Sequence, residues 1–295
     1  MFFIKTVFIT AYKIPSESML PTICPGDWIC VDKFGYGGAQ NLLGKQYQLP
    51  KFRDVERNDI IVFHFPEGDT VLKNNPVRNY YELKRWLKYQ GKMNELPFYG
   101  DRAYLPLNYR IAYVKRCIGL PGDMLSICNG CVKINGQLKE EKIDIKRLYE
   151  IYGKVKKDSI VANLQDSIFN GWYKNQSTVV AMSEKEKGMV LKLQGIDSLN
   201  RVLDLRFYMS RFPFVEGNEK YWSSDNYSSI YIPKAGATIN LSLENLPIYS
   251  RIIEVYEKNA LKCVNADIYI NGKIVTQYTF QENYYFVMGE IVHFS

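Results

Sequence analysis

Two stretches carry residues whose types and spacing can run a nucleophilic reaction. The first is Ile14-Pro-Ser-Glu-Ser-Met-Leu-Pro-Thr-Ile23, which sets Ser16 and Ser18 one residue apart between two prolines. Pro15 and Pro21 fix their own φ and push the residues before them towards extended backbone, so a hydroxyl there is aimed rather than free to wander. The second is Tyr113-Val-Lys-Arg-Cys-Ile-Gly-Leu-Pro-Gly-Asp123, with Lys115 among apolar neighbours. A serine hydroxyl is a poor nucleophile until a base takes its proton. Histidine is the usual base, but the chain has only 2 histidines, His64 inside a strand pattern and His293 close to the last residue. A Ser-His pair also wants a carboxylate behind the imidazole, and nothing near either histidine suggests one. Lys115 is the remaining candidate. An ordinary lysine titrates at ~10.4, so a base working near neutrality needs a depression of about 2–3 units, which apolar flanks favour. Taken alone, each stretch also has an ordinary explanation, an exposed proline-rich loop and a strand lysine reaching to water.

At these two stretches together the chain resembles type I signal peptidases, membrane-bound Ser/Lys endopeptidases that remove secretory signal sequences. The first stretch, continued by Cys24-Pro-Gly-Asp27, is similar to the family's serine box, and the second to its lysine box. Arg57-Asn-Asp-Ile-Ile-Val-Phe-His-Phe-Pro66 looks like the strand between them. The resemblance implies Ser18 as nucleophile, Lys115 as general base, and the Ser16 hydroxyl with the Ser18 amide as oxyanion hole. It implies that Ile14, Met19, Ile23, Tyr113 and Val114 line a cleft for an extended peptide, with small side chains at two alternate subsites. Strand geometry sends every second side chain to the enzyme. It implies no cofactor and no metal, signal peptides of exported preproteins as partners, and a monomer acting at the outer side of the bacterial cytoplasmic membrane.

The tail departs from the family pattern. Where the family reads Met-Gly-Asp-Asn-Arg-x-x-Ser-x-Asp-Ser-Arg, this sequence has Met288-Gly-Glu-Ile-Val-His-Phe-Ser295. Aligned without a gap, Ser295 falls on the serine that orients the catalytic lysine, while Glu290, Ile291 and Val292 replace Asp, Asn and Arg. This motivates an alternative, a truncated paralogue that binds signal peptides without efficient cleavage. A self-cleaving repressor-type Ser/Lys protease shares the dyad but needs a DNA-binding head, and no such pattern precedes Ser18.

The elements that must position these groups read mainly as strands. The expectation is a signal-peptidase-type antiparallel β core, residues 13–136 and 263–295, with an α+β cap at 137–262 inserted into it. Residues 1–12 are expected to be the last turns of a membrane anchor, since the apolar run is far shorter than the ~20 residues a span needs. Residues 27–32 alternate as a strand, and 59–65 read as a core strand buried on both faces. Within an insertion at 71–110, Tyr80–Tyr89 has apolar residues at helical spacing. Met124–Cys128 and Cys131–Ile134 form a hairpin around Asn129-Gly130, a two-residue turn signal, and Asn135-Gly136 and Asn271-Gly272 repeat it. Residues 142–172 read as helical and charged, and 278–288 as one strand.

Composition bounds the rest. A chain of 295 residues can bury a large core. The net charge of +7 is spread along the sequence rather than gathered into a basic module, so nucleic acid is not expected and an anionic membrane surface is. Of 6 cysteines only Cys128 and Cys131 form a Cys-x-x-Cys, and zinc wants paired clusters. Facing each other across a hairpin, these two are a possible disulfide.

Overall fold

The computed structural model describes residues 9–37, 39–42, 45–48, 50–139, 145–164, 172–174, 177–203, 222–223 and 225–290. It is mainly β, a set of small antiparallel sheets with few helices. Ile9–Lys13 pairs antiparallel with Trp28–Asp32, so Ile9 to Tyr12, expected as the end of an anchor helix, lie in a strand. The β-branched and aromatic content of that segment suits a pleated surface.

The central sheet has three strands in the order Phe286–Met288, Ala112–Gly119, Ile60–His64. Ile60–His64 is at the edge of the described sheet and only half-buried, with Ile60 37% exposed, so it is not a strand buried on both faces. The segment 278–288 is two strands, Gln277–Thr279 and Phe286–Met288, which join different sheets.

The Asn-Gly turns form as the sequence suggests. Asn129 and Gly130 have φ of 48° and 67°, Asn135 and Gly136 53° and 80°, and Asn271 and Gly272 52° and 79°. Both central residues are left-handed, the twist that matches flanking strands. The main apolar cluster forms around the first hairpin, with Leu125, Ile127 and Val132 packed against Ile230, Ile232, Ile253, Ile268 and Phe280. The insertion helix forms at Tyr80–Tyr89, capped by the Asn79 side chain, and buries Leu83 and Leu87 against Leu72. A bidentate pair from Arg85 to Glu67, at 2.8 and 2.7 Å, ties it down. Arg251 bonds Asp69 at 2.8 Å and the Pro66 carbonyl at 2.7 Å, which holds the root of the insertion to the Leu246–Arg251 helix.

The segment expected as a cap divides in two. The described residues between 145 and 203 have a cluster of their own, including Tyr149, Ile151, Ile160, Val180, Met182 and Val190. Residues 222–262 instead contribute Trp222, Ile230, Ile248 and Ile253 to the main cluster. Arg147–Gly153, read as helix, is a strand paired with Ser177–Met182 on one side and Ile196–Arg201 on the other. Leu148, Tyr149, Ile151 and Tyr152 together stand at helical spacing while Tyr149 and Ile151 also alternate as in a strand, and the sheet neighbours decide it.

Candidate active site

The serine box is a closed loop between the paired strands Ile9–Lys13 and Trp28–Asp32. Its neck is tied by Ile14 N–H to the Asp27 carbonyl at 2.9 Å and Gly26 N–H to the Ile14 carbonyl at 2.8 Å. Inside, Leu20 N–H bonds the Glu17 carbonyl at 3.0 Å and Ile23 N–H the Met19 carbonyl at 2.9 Å, which turns the chain sharply past Ser18. The Leu20–Pro21 peptide is cis. Ile14, Met19 and Ile23 form a buried apolar cluster, with the half-buried Ile29 and Val114 packed against it. Burying an aliphatic side chain contributes about 1.5–3 kcal/mol, so this cluster fixes the loop on the lysine strand.

Ser18 is 4% exposed and its Oγ lies 2.7 Å from Lys115 Nζ, 97 residues away in sequence. Ser16 stands on the exposed side, with its Oγ 3.5 Å from Ser18 Oγ. Tyr113 faces away from the apolar cluster, 38% exposed, beside Phe63 and Phe65 at ring distances of 6.4 and 5.1 Å. So of the five residues expected to line a cleft, Ile14, Met19 and Ile23 are buried, Val114 packs half-buried against them, and Tyr113 keeps an open face. Ser295 lies outside the described residues, and with it His293.

Residues that sequence reasoning left in the background complete the site. Gly289 packs where a Cβ would stand 2.7 Å from the Ser18 carbonyl oxygen and 3.2 Å from Lys115 Nζ, so no larger residue fits without moving the pair. Glu290 N–H donates to the Ser18 carbonyl at 2.7 Å. The Glu290 carboxylate, 2% exposed, is joined to Arg116 in an ion pair with Nε at 2.8 Å from Oε1, and it accepts Thr22 N–H at 3.2 Å. Arg116 also donates to the Asn58 carbonyl at 2.6 Å and to Thr22 Oγ1 at 3.1 Å. Arg116 thus joins the serine loop, the turn before the edge strand and the tail. The sequence signal for it is an acidic residue directly after Met288-Gly289 and an arginine directly after Lys115.

Other reactive groups are set aside by their surroundings. Cys117, two residues beyond Lys115, is fully buried, and burial pushes its thiol up to about 11, away from the reactive thiolate. His64 Nδ1 sits 3.3 Å from the Arg110 carbonyl, and burial lowers its pKa. Asp123 holds the Leu120 N–H at 2.7 Å and Arg57 at 2.8 Å, bracing the loop after the lysine strand. Cys128 and Cys131 face each other in register and are unbridged thiols. Among the described residues no group of His, Cys, Asp and Glu could hold a metal ion.

The sequence pattern of the family described as Signal peptidase, peptidase S26, matches residues 1–183. A signal peptidase I of Leptolyngbya laminosa is 31% identical over 185 residues, 60% of this chain and 68% of that protein. One of Buchnera aphidicola subsp. Baizongia pistaciae is 31% identical over 128 residues, 43% of this chain and 27% of that protein. One of Aquifex aeolicus is 32% identical over 147 residues, 46% of this chain and 54% of that protein. The chain therefore spans between 27% and 68% of the length of these relatives. The matched span contains both Ser18 and Lys115, and the chain belongs to the signal peptidase family of peptidases, peptidase S26.

Proposed function

We propose that this chain is a serine endopeptidase that removes N-terminal signal peptides from exported preproteins, cutting after a small residue. The observation that carries the reading is the 2.7 Å contact of Lys115 Nζ with Ser18 Oγ. A neutral Lys115 takes the Ser18 proton as the hydroxyl attacks the scissile carbonyl. The Ser18 amide and the Ser16 hydroxyl stabilise the developing oxyanion, and one such donor typically changes turnover ~10²–10³-fold. The ammonium then returns its proton to the leaving amine, and water activated by Lys115 releases the acyl group from Ser18. The substrate binds as an extended strand beside the site, with Tyr113 offering an open aromatic face.

The alternative, a relative that binds signal peptides without cleaving them, drew on the altered tail. The Glu290 carboxylate weighs against it, because it grips Arg116 from a position where the family pattern also has an acid. We place the chain at the outer face of the bacterial cytoplasmic membrane, as a monomer. Among the described residues no helix is long and apolar enough to cross a membrane.

The test is cleavage of a peptide carrying Ala at both small-residue subsites. Parent protein should cut it after the second Ala, and Ser18→Ala should not. Equal cleavage by Ser18→Ala would overturn the proposal.

A further inference from the structure

Glu290 touches the serine loop through its amide and Arg116 through its carboxylate, and its remaining polar group is gripped from outside the catalytic core. The Glu290 carbonyl accepts the Lys146 N–H at 3.3 Å. Lys146 is the residue by which the 145–203 module enters, next to the first strand of its sheet. Its side chain is 7% exposed and its Nζ lies 3.2 Å from Glu186 Oε1, with the Glu186 side chain 1% exposed. Glu186 is itself fixed, since its Oε2 accepts the Ser183 N–H at 2.8 Å while Ser183 Oγ accepts the Glu186 N–H at 3.2 Å. This reciprocal cap starts the Glu184–Val190 helix. The register Arg147 to Met182 leads to Lys146 beside Ser183, the residue whose N–H the Glu186 carboxylate accepts. The module also has its own apolar cluster. A buried ion pair is a poor source of stability compared with apolar residues of the same volume, because two charges lose their water. What such a pair supplies is a fixed geometry.

We propose that Lys146 and Glu186 are positioning residues for the peptidase site. The pair locks the entry of the inserted module, so that the Lys146 amide holds the Glu290 carbonyl and Glu290 in turn holds Ser18. The module is then part of the catalytic apparatus. This rests on the Ser18–Lys115 assignment above.

The test compares three full-length variants with the parent. Lys146→Met with Glu186→Gln removes both charges together and leaves an amide oxygen for Ser183. Lys146→Arg keeps the cation and is the rescue. Leu191→Gln, at an exposed residue ending the helix, is the control. For each, kcat and KM on the Ala-containing peptide, thermal unfolding, and amide hydrogen exchange at Glu290 are measured. The double variant should unfold cooperatively, lose about tenfold in kcat at unchanged KM, and exchange the Glu290 amide at least tenfold faster. Lys146→Arg should recover most of both, and the control should match the parent. Parent-like protection at Glu290 in a folded double variant would overturn the coupling, whatever happens to the melting temperature. If the parent itself fails to cut in a Ser18-dependent manner, the peptidase assignment falls, and the exchange data alone still decide whether the module grips Glu290.

Discussion

The sharpest consequence of the site's geometry concerns Glu290. Its carboxylate is 2% exposed and faces Arg116, which is 8% exposed, so the two charges meet with little water to screen them. Replacing Glu290 by Ala leaves the guanidinium with the Asn58 carbonyl and Thr22 hydroxyl but no counter-charge, and leaves Thr22 N–H without its acceptor. Breaking one side of a buried pair costs about 3–5 kcal/mol. Glu290→Gln keeps an oxygen for Arg116, but its amide then turns N–H groups towards Thr22 N–H, so about 1–3 kcal/mol is expected from lost charge assistance and one poor contact. Glu290→Asp keeps the charge on a shorter stem and should be milder than either. Replacing both Arg116 and Glu290 by Met removes both charges at once, and should cost less than the sum of the two single changes. Urea unfolding at constant pH gives each free energy, and peptide cleavage run in parallel gives the effect on turnover. Because Glu290 N–H holds the Ser18 carbonyl, turnover should fall with the stability losses while peptide affinity changes little. A Glu290→Ala protein within 1 kcal/mol of the parent, with unchanged turnover, would refute the argument that this tail residue braces the site.

The proposed peptidase activity should depend on the Lys115 amine beside Ser18 Oγ. Lys115→Arg should abolish it, because a guanidinium stays protonated at any working pH, and Lys115→Met should be folded and inactive with a loss of about 10³-fold or more; a pH–rate profile unaltered in Lys115→Met would move the base elsewhere. Ala266→Gly should stabilise the protein by about 1 kcal/mol in thermal or urea unfolding, because Ala266 sits at φ 75° in the exposed two-residue turn after Val264, where a Cβ is unwelcome; no gain would mean that the turn already relaxes. Thiol labelling of the native protein should modify the exposed Cys30, Cys128 and Cys263 and spare Cys117, whose thiol is buried and pushed up to about 11; rapid labelling of Cys117 would show that the lysine strand opens.

What the sequence determined by itself is what local chemistry writes. The prolines around Ser16 and Ser18 mark a constrained turn, and the loop indeed doubles back, with Ser16 exposed and Ser18 buried against Lys115. The three Asn-Gly pairs mark their hairpins, because left-handed backbone at two successive positions selects those residues. Tyr80–Tyr89 carries its helical period over ten residues, long enough to exclude a strand. The fold class followed from these signals together with the resemblance at the two boxes.

Tertiary structure decided the rest. Arg147–Gly153 is short, its apolar positions Leu148, Tyr149, Ile151 and Tyr152 serve a helix or a strand, and only pairing on both sides made it a strand. The inserted segment could not be divided from sequence, because residues 222–262 join the main cluster through contacts with strands more than 90 residues earlier. Glu290 read as a departure from a pattern, and became a brace only when folding set Arg116 and Thr22 against its carboxylate. The link from Lys146 to that brace had no signal at all. A buried charge is costly wherever it lies, so its partner is fixed by three-dimensional proximity, and nothing in the spacing of Lys146, Glu186 and Glu290 along the chain records it.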